Sequence, residues 1–182
     1  MAERVVPLRL AHIPNALTIA RFAAIPVFVV LLMNADEGHS WPAALLFAAA
    51  GATDQIDGWL ARRWKVESRF GTVADPLADR LMIDTAVVGL FLHGRLPWPG
   101  LVLILLRDLV LIGGYKLVVP RGYDLSVSFV GKAATWLLYA ALGLMLATRE
   151  GTDFPLLLFW IGLGLSLIAG AAYVAGALRS RS

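Results

Sequence analysis

Residues 41–92 read WPAALLFAAAGATDQIDGWLARRWKVESRFGTVADPLADRLMIDTAVVGLFL, and the fold turns on how this stretch is read. Two apolar runs, 42–62 and 72–92, flank a basic break that begins Arg62-Arg63-Trp64-Lys65. A bilayer crossing takes ~20 apolar residues, which each run supplies. In lipid a lone strand cannot satisfy its own backbone, so each run is predicted to be a helix and the pair an antiparallel hairpin. The same pattern repeats outward at 14–33, 98–118, 127–147 and 155–177. Turn signals separate the runs at Asn34–Gly38, Gly94–Pro97, Pro120–Gly122 and Arg149–Gly151. Residues 1–11 are too polar to insert and are expected to form a short interfacial helix, with Val5, Val6, Leu8 and Leu10 toward lipid. The expected fold is therefore an all-α integral membrane protein, a six-transmembrane-helix bundle forming one domain over 1–182.

Composition supports this class. Of 182 residues, 59% are hydrophobic and 16% charged, and the mean hydropathy is +0.73. Soluble domains are less apolar and carry about 25% charge. The absence of cysteine excludes disulfides and thiolate chemistry. The net charge of +3 does not by itself point to a nucleic-acid partner, because in a membrane protein excess Lys and Arg mark the cytoplasmic loops. With the N-terminus inside, ten basic residues fall in cytoplasmic segments and two, Arg95 and Arg149, outside. Both termini are thus expected in the cytoplasm. Arg21 and the apolar run 22–33 lack a small-x-small cleavage site before Asp36, which argues against a cleaved signal peptide.

Charges inside spans are costly and usually functional. This chain places Asp54, Asp57, Asp75, Asp79, Arg80, Asp84, Arg107, Asp108 and Lys132 there. Arg21 and Arg80 can be explained by snorkelling to water, but short Asp side chains cannot reach far. Asp54 and Asp57 are three apart and Asp75 and Asp79 four apart, so each pair shares a helix face. In an antiparallel hairpin, Asp54 should lie level with Asp79 and Asp57 with Asp75, within ~12 Å of the cytoplasmic helix ends. Four carboxylates in low dielectric repel unless a cation offsets them. All-oxygen ligands suit Mg²⁺ or Mn²⁺, and four carboxylates suit two ions, an arrangement used in phosphoryl displacement. The bland alternative is a salt-bridged polar core with Arg62, Arg80 and Arg107, although removing unmetallated pairs from water is rarely repaid. Gly58, Ala61 and Gly71 keep the same faces thin, and Arg62 could clamp a diphosphate.

The run Asp54-x-x-Asp57-Gly58-x-x-Ala61-Arg62-x8-Gly71-x3-Asp75-x3-Asp79 resembles the signature of the CDP-alcohol phosphatidyltransferases at eight fixed positions over 26 residues. Pro14-Asn15-Ala-Leu17-Thr18-Ile-Ala-Arg21 resembles that family's N-terminal segment. The resemblance implies transfer of a phosphatidyl group from CDP-diacylglycerol to an alcohol, with release of CMP. It implies two divalent cations, Mg²⁺ or Mn²⁺, held by Asp54, Asp57, Asp75 and Asp79. Asp79 would also serve as general base, a sensible role for a carboxylate beside a metal. It further implies that Asn15, Thr18, Gly58, Ala61, Arg62 and Gly71 border CDP-diacylglycerol. A homodimer in the inner membrane, with its site open to the cytoplasm, is also implied.

The segment Asp75-Pro76-Leu77-Ala78-Asp79-Arg80 resembles the branch that makes phosphatidylglycerol phosphate or cardiolipin, with glycerol-3-phosphate or phosphatidylglycerol as acceptor. Arg107, Lys132 and Lys116 are the candidate acceptor-binding residues. Local explanations are an Arg107–Asp108 ion pair and snorkelling of Lys132 from a helix start. The glycerol-phosphate branch commonly shows Arg-Glu with a further Arg and a Gly-Lys-x-Lys-Thr. This chain has Arg107-Asp108, then Tyr115-Lys116, and Gly131-Lys132-Ala-Ala134-Thr135, closer to the CMP-forming cardiolipin synthases. The two glycerol-type acceptors fit the sequence about equally, and inositol-type acceptors fit less well. Two other classes fit less well. A membrane prenyltransferase would need a longer chain with two separated Asp motifs. A small cation transporter would spread its acids through the membrane, whereas here they cluster toward one side.

Overall fold

A computed structural model describes the backbone of residues 13–64, 69–118, 129–149 and 151–179, and the side chains of 16–53, 77–110, 129–149 and 151–172. The expected interfacial segment 1–11 lies outside the described residues. Six helices follow in order: α1 (Ile13–Met33), α2 (Trp41–Trp64), α3 (Arg69–Leu92), α4 (Trp98–Val118), α5 (Phe129–Ala147) and α6 (Asp153–Arg179). The described residues are all-helical apart from turns, with one isolated bridge between Asp36 and His39. Every helix covers one of the six apolar runs, with ends displaced by at most three residues.

By length and composition, three of these helices qualify as membrane crossings among the described residues. They are Ala16–Met33 in α1, Phe129–Ala147 in α5 and Asp153–Ala172 in α6, with mean hydropathies of 2.3, 1.5 and 2.0. In α2 the apolar part is Trp41–Thr53, before the acidic positions begin. Large apolar side chains also cover the outside of the bundle. Val30, Leu45, Leu109, Trp136, Leu157 and Ile168 are all exposed, as expected of a surface meeting acyl chains rather than water. This is a membrane protein.

Helical spacing sets what faces inward. On α1 the buried stripe is Thr18, Arg21, Phe28 and Leu32; on α2 it is Ala43, Ala44, Phe47 and Ala50. On α5 it is Ala134, Leu138, Ala141, Leu142, Met145 and Leu146. α1 packs on α2 and α3, α5 packs on α2, α3 and α6, and α4 packs on α3 and α6. The core is therefore apolar toward one end of the bundle and polar toward the other.

Three connections gather at the apolar end. Ser40 N–H donates to the Leu146 carbonyl at 2.9 Å, and His93 Nε2 donates to the Leu32 carbonyl at 2.9 Å. The Arg95 guanidinium donates to the carbonyls of Met145 (2.6 Å), Thr148 and Arg149 (3.2 Å). It thereby caps α5, satisfying carbonyls that have no partner inside the helix and placing a cation at the negative end of its dipole. The packing there is close. A Cβ built on Gly89 would overlap Leu32 Cδ2 and lie 2.6 Å from its Cγ. Leu32 is fully buried and has little room to move. Gly89→Ala is expected to lower stability by about 1–3 kcal/mol through overpacking. A thermal melt of detergent-solubilised protein checks this, and an unchanged midpoint would show that the Leu32 contact is soft.

Candidate active site

The polar end of the bundle is built at one depth. Asp79 lies ten residues from the start of α3, and Tyr139 ten from the start of α5. Asp108 lies ten residues, and Arg107 eleven, from the end of α4, while Arg21 lies eight from the start of α1. At 1.5 Å per residue these are all roughly 12–17 Å from the same end. Four helices thus aim polar groups at one level.

Asp79 is at the centre. The Tyr139 hydroxyl donates to Asp79 Oδ1 across the α3–α5 contact. Arg21, 2% exposed, lies close enough for its charge to act on the Asp79 carboxylate, as does Arg80. Explaining Arg21 by snorkelling is therefore wrong: the helix face that carries Thr18 and Phe28 turns it into the bundle, where a carboxylate awaits it. Arg80 is corrected in the same way. Its guanidinium is bonded to Asp108 Oδ1, and that oxygen also accepts from Arg107 at 2.5 Å. Asp84 lies beside Asp108, so two arginines and two aspartates meet between α3 and α4.

The remaining predicted residues are placed as follows. Positions 54, 57, 58, 61 and 62 fall on the C-terminal half of α2, and 71 and 75 on the first two turns of α3. Their side chains lie outside the described residues, as do those of Asn15 in the first turn of α1 and Lys116 near the end of α4. The backbone is helical throughout these positions, so 54 and 57 share one face of α2, and 75 and 79 one face of α3. α2 and α3 pack on each other. Thr18 is fully buried on α1. Lys132 is exposed, one turn into α5 on the outward face with Trp136. α4 and α5 are not in contact among the described residues, so Arg107 and Lys132 are not brought together. The Arg107–Asp108 ion pair is present, extended by Arg80.

Sequence reasoning missed Tyr139. A partial signal existed, because a tyrosine hydroxyl inside an apolar span must find a partner, but the expected run starts at 72 and 127 put Asp79 and Tyr139 at different depths, and only the helix starts at 69 and 129 bring them level. It also gave Arg21 no part in the site.

The chemistry of the donor set suits hard divalent cations: four aspartates, no cysteine, on two packed helices. Among the described residues no three acidic or imidazole groups converge, since three of the four aspartates lie outside them.

Comparison with known proteins agrees with this arrangement. The family model for CDP-alcohol phosphatidyltransferase matches residues 11–168. A protein of Mycobacterium tuberculosis named probable phosphatidylglycerophosphate synthase is 36% identical over 94% of this chain and 84% of its own length. A CMP-forming cardiolipin synthase of Streptomyces coelicolor is 41% identical over 79% of this chain and 69% of its own. A CDP-diacylglycerol–glycerol-3-phosphate 3-phosphatidyltransferase of Rickettsia bellii is 30% identical over 89% of this chain and 93% of its own. The match takes in the first helix with Arg21, the whole acidic hairpin and the helix that supplies Tyr139, and on that extent the chain belongs to the CDP-alcohol phosphatidyltransferase family.

Proposed function

We propose that this phosphatidyltransferase of anionic phospholipid synthesis moves a phosphatidyl group from CDP-diacylglycerol to a glycerol-type acceptor. The acceptor hydroxyl oxygen attacks the phosphorus that carries the diacylglycerol. A new P–O bond forms, the bond to the bridging oxygen breaks, and CMP leaves with that oxygen. Asp79 takes the hydroxyl proton as the attack proceeds. What carries this reading is Asp79 itself: a carboxylate at the end of the eight-position motif, inside the bundle, held by Tyr139 and faced by Arg21.

The family is divalent-cation dependent, and in this chain Asp54, Asp57, Asp75 and Asp79 would hold two ions, Mg²⁺ or Mn²⁺. Bound there, such ions would neutralise the diphosphate and make CMP a better leaving group. Asn15, Thr18, Gly58, Ala61, Arg62 and Gly71 border CDP-diacylglycerol, with Arg62 near its phosphates. Arg107 is the stronger acceptor ligand, because its buried Nε has no partner among the described residues. Lys116, in the last turn of α4, would add a second cation. Lys132 contributes only at the lipid-facing edge, consistent with its exposure.

All six helices cross the inner membrane in this reading, and 1–182 form one domain with 1–11 along the interface. Both termini and the site face the cytoplasm, as ten basic residues against two support. The working unit is a homodimer.

The acceptor is tested directly. Purified protein receives CDP-diacylglycerol and Mg²⁺ with radiolabelled glycerol-3-phosphate, phosphatidylglycerol or inositol phosphate. We expect one of the two glycerol-type labels to enter a new lipid, with CMP released in equal amount. Labelling by inositol phosphate alone, or by none, would overturn the assignment.

A further inference from the structure

Tyr139 does more than satisfy a hydroxyl. Its ring lies against Phe47 of α2, with centroids 5.0 Å apart at an interplanar angle of 32°, and Phe47 stacks in turn on Phe28 of α1 at 5.7 Å. The other face of the fit is Gly51, one turn from Phe47. A Cβ at position 51 would approach Tyr139 Cε1 to 2.9 Å and Cδ1 to 3.0 Å. Gly51 also lies three residues before Asp54, on the same face of α2. The ring is thus seated on the face of α2 that bears an acidic motif position, and its hydroxyl reaches the last motif position on α3. One side chain from α5 braces both arms of the acidic hairpin.

We infer that Tyr139 is a positioning residue for Asp79, and that Gly51 and Phe47 form the seat that aims it. An aspartate has two side-chain torsions to fix. The Tyr139 bond to Oδ1 fixes them both, so that Oδ2 presents in one direction to the acceptor hydroxyl. The orientation of the ring is in turn set by α2, so a shift of α2 against α5 turns the carboxylate. This rests on the role of Asp79 proposed above.

The test uses the full-length protein in detergent or liposomes. Partners that orient a reacting or ligating group typically contribute about 10–100-fold in activity. Tyr139→Phe keeps the ring and its seat and removes the hydroxyl. We expect kcat to fall about 10-fold or more with KM for CDP-diacylglycerol unchanged. Binding of CDP-diacylglycerol without acceptor, measured by calorimetry, should also be unchanged. Gly51→Ala, which displaces the ring and leaves the hydroxyl, should show the same split. Combined with Asp79→Asn, Tyr139→Phe should remove nothing further from any residual turnover. A KM rise with kcat intact, a loss of binding equal to the loss of rate, or full additivity with Asp79→Asn would each overturn the proposal. If wild-type protein releases no CMP with any acceptor, the functional reading has failed instead. An active wild type beside an equally active Tyr139→Phe rejects the positioning role alone.

Discussion

Replacing Asp79 by asparagine is expected to cut CMP release by about 10²–10⁴-fold, the range attributed to a positioned general base. Asparagine has nearly the shape of aspartate and keeps an oxygen that can accept from the Tyr139 hydroxyl. The α3–α5 contact is therefore retained. The amide cannot take a proton from an attacking hydroxyl, and it is a far poorer ligand for a hard cation. The variant should insert, elute as a single folded species and melt near the wild-type temperature, while releasing CMP from CDP-diacylglycerol only at this residual rate. Retained turnover in a folded variant would remove Asp79 from its assigned role. Loss of activity together with loss of folded protein would make its role structural, and Tyr139→Phe separates the two because it spares the carboxylate.

The helices were legible because hydropathy and turn residues are properties of single segments. All six apolar runs became helices within three residues of their expected ends, since Gly94 and Gly151 supply the turns with φ of 73° and 90°. The acidic motif was equally legible, because its spacing is local to two helices and their connection. Partners across helices were not. Arg21 looks like a residue near a helix start, and only the packing of α1 on α3 brings it to Asp79. Tyr139 lies 60 residues from Asp79, and no periodicity within α5 could name its partner. Arg107 shows the limit most clearly. Its neighbour Asp108 was visible as a local pair, but the engagement of Arg80 by the same carboxylate oxygen depends on how α3 meets α4.

That shared carboxylate carries the largest expected effect on stability. Asp108 is 2% exposed, against 24% for Arg80 and 11% for Arg107, and one of its oxygens accepts from both guanidinium groups. Asp84 lies near enough for both arginines to act on it, and Asp79 near enough for Arg80, but Asp108 is the acid bonded directly to both. Removing one partner of a buried ionic group leaves the others uncompensated and typically costs about 3–5 kcal/mol. Asp108→Ala should therefore lower the melting temperature sharply or prevent recovery of folded protein. Replacing the whole group by apolar residues of similar volume behaves differently, because the charges and their burial penalty leave together. Such changes are often neutral, or stabilising by about 1–4 kcal/mol. The quadruple variant Arg80→Met, Asp84→Leu, Arg107→Leu, Asp108→Leu, which removes both arginines and both aspartates, should then melt at or above the wild-type temperature. The two variants together separate structure from function: the quadruple change restores the α3–α4 contact but deletes Arg107. If Arg107 binds the acceptor, the stable quadruple variant still binds CDP-diacylglycerol yet transfers to acceptor poorly, with a raised acceptor KM. Wild-type acceptor kinetics in the quadruple variant would show that the charge cluster serves packing alone, and an unchanged melt of Asp108→Ala would show that the arginines are compensated elsewhere.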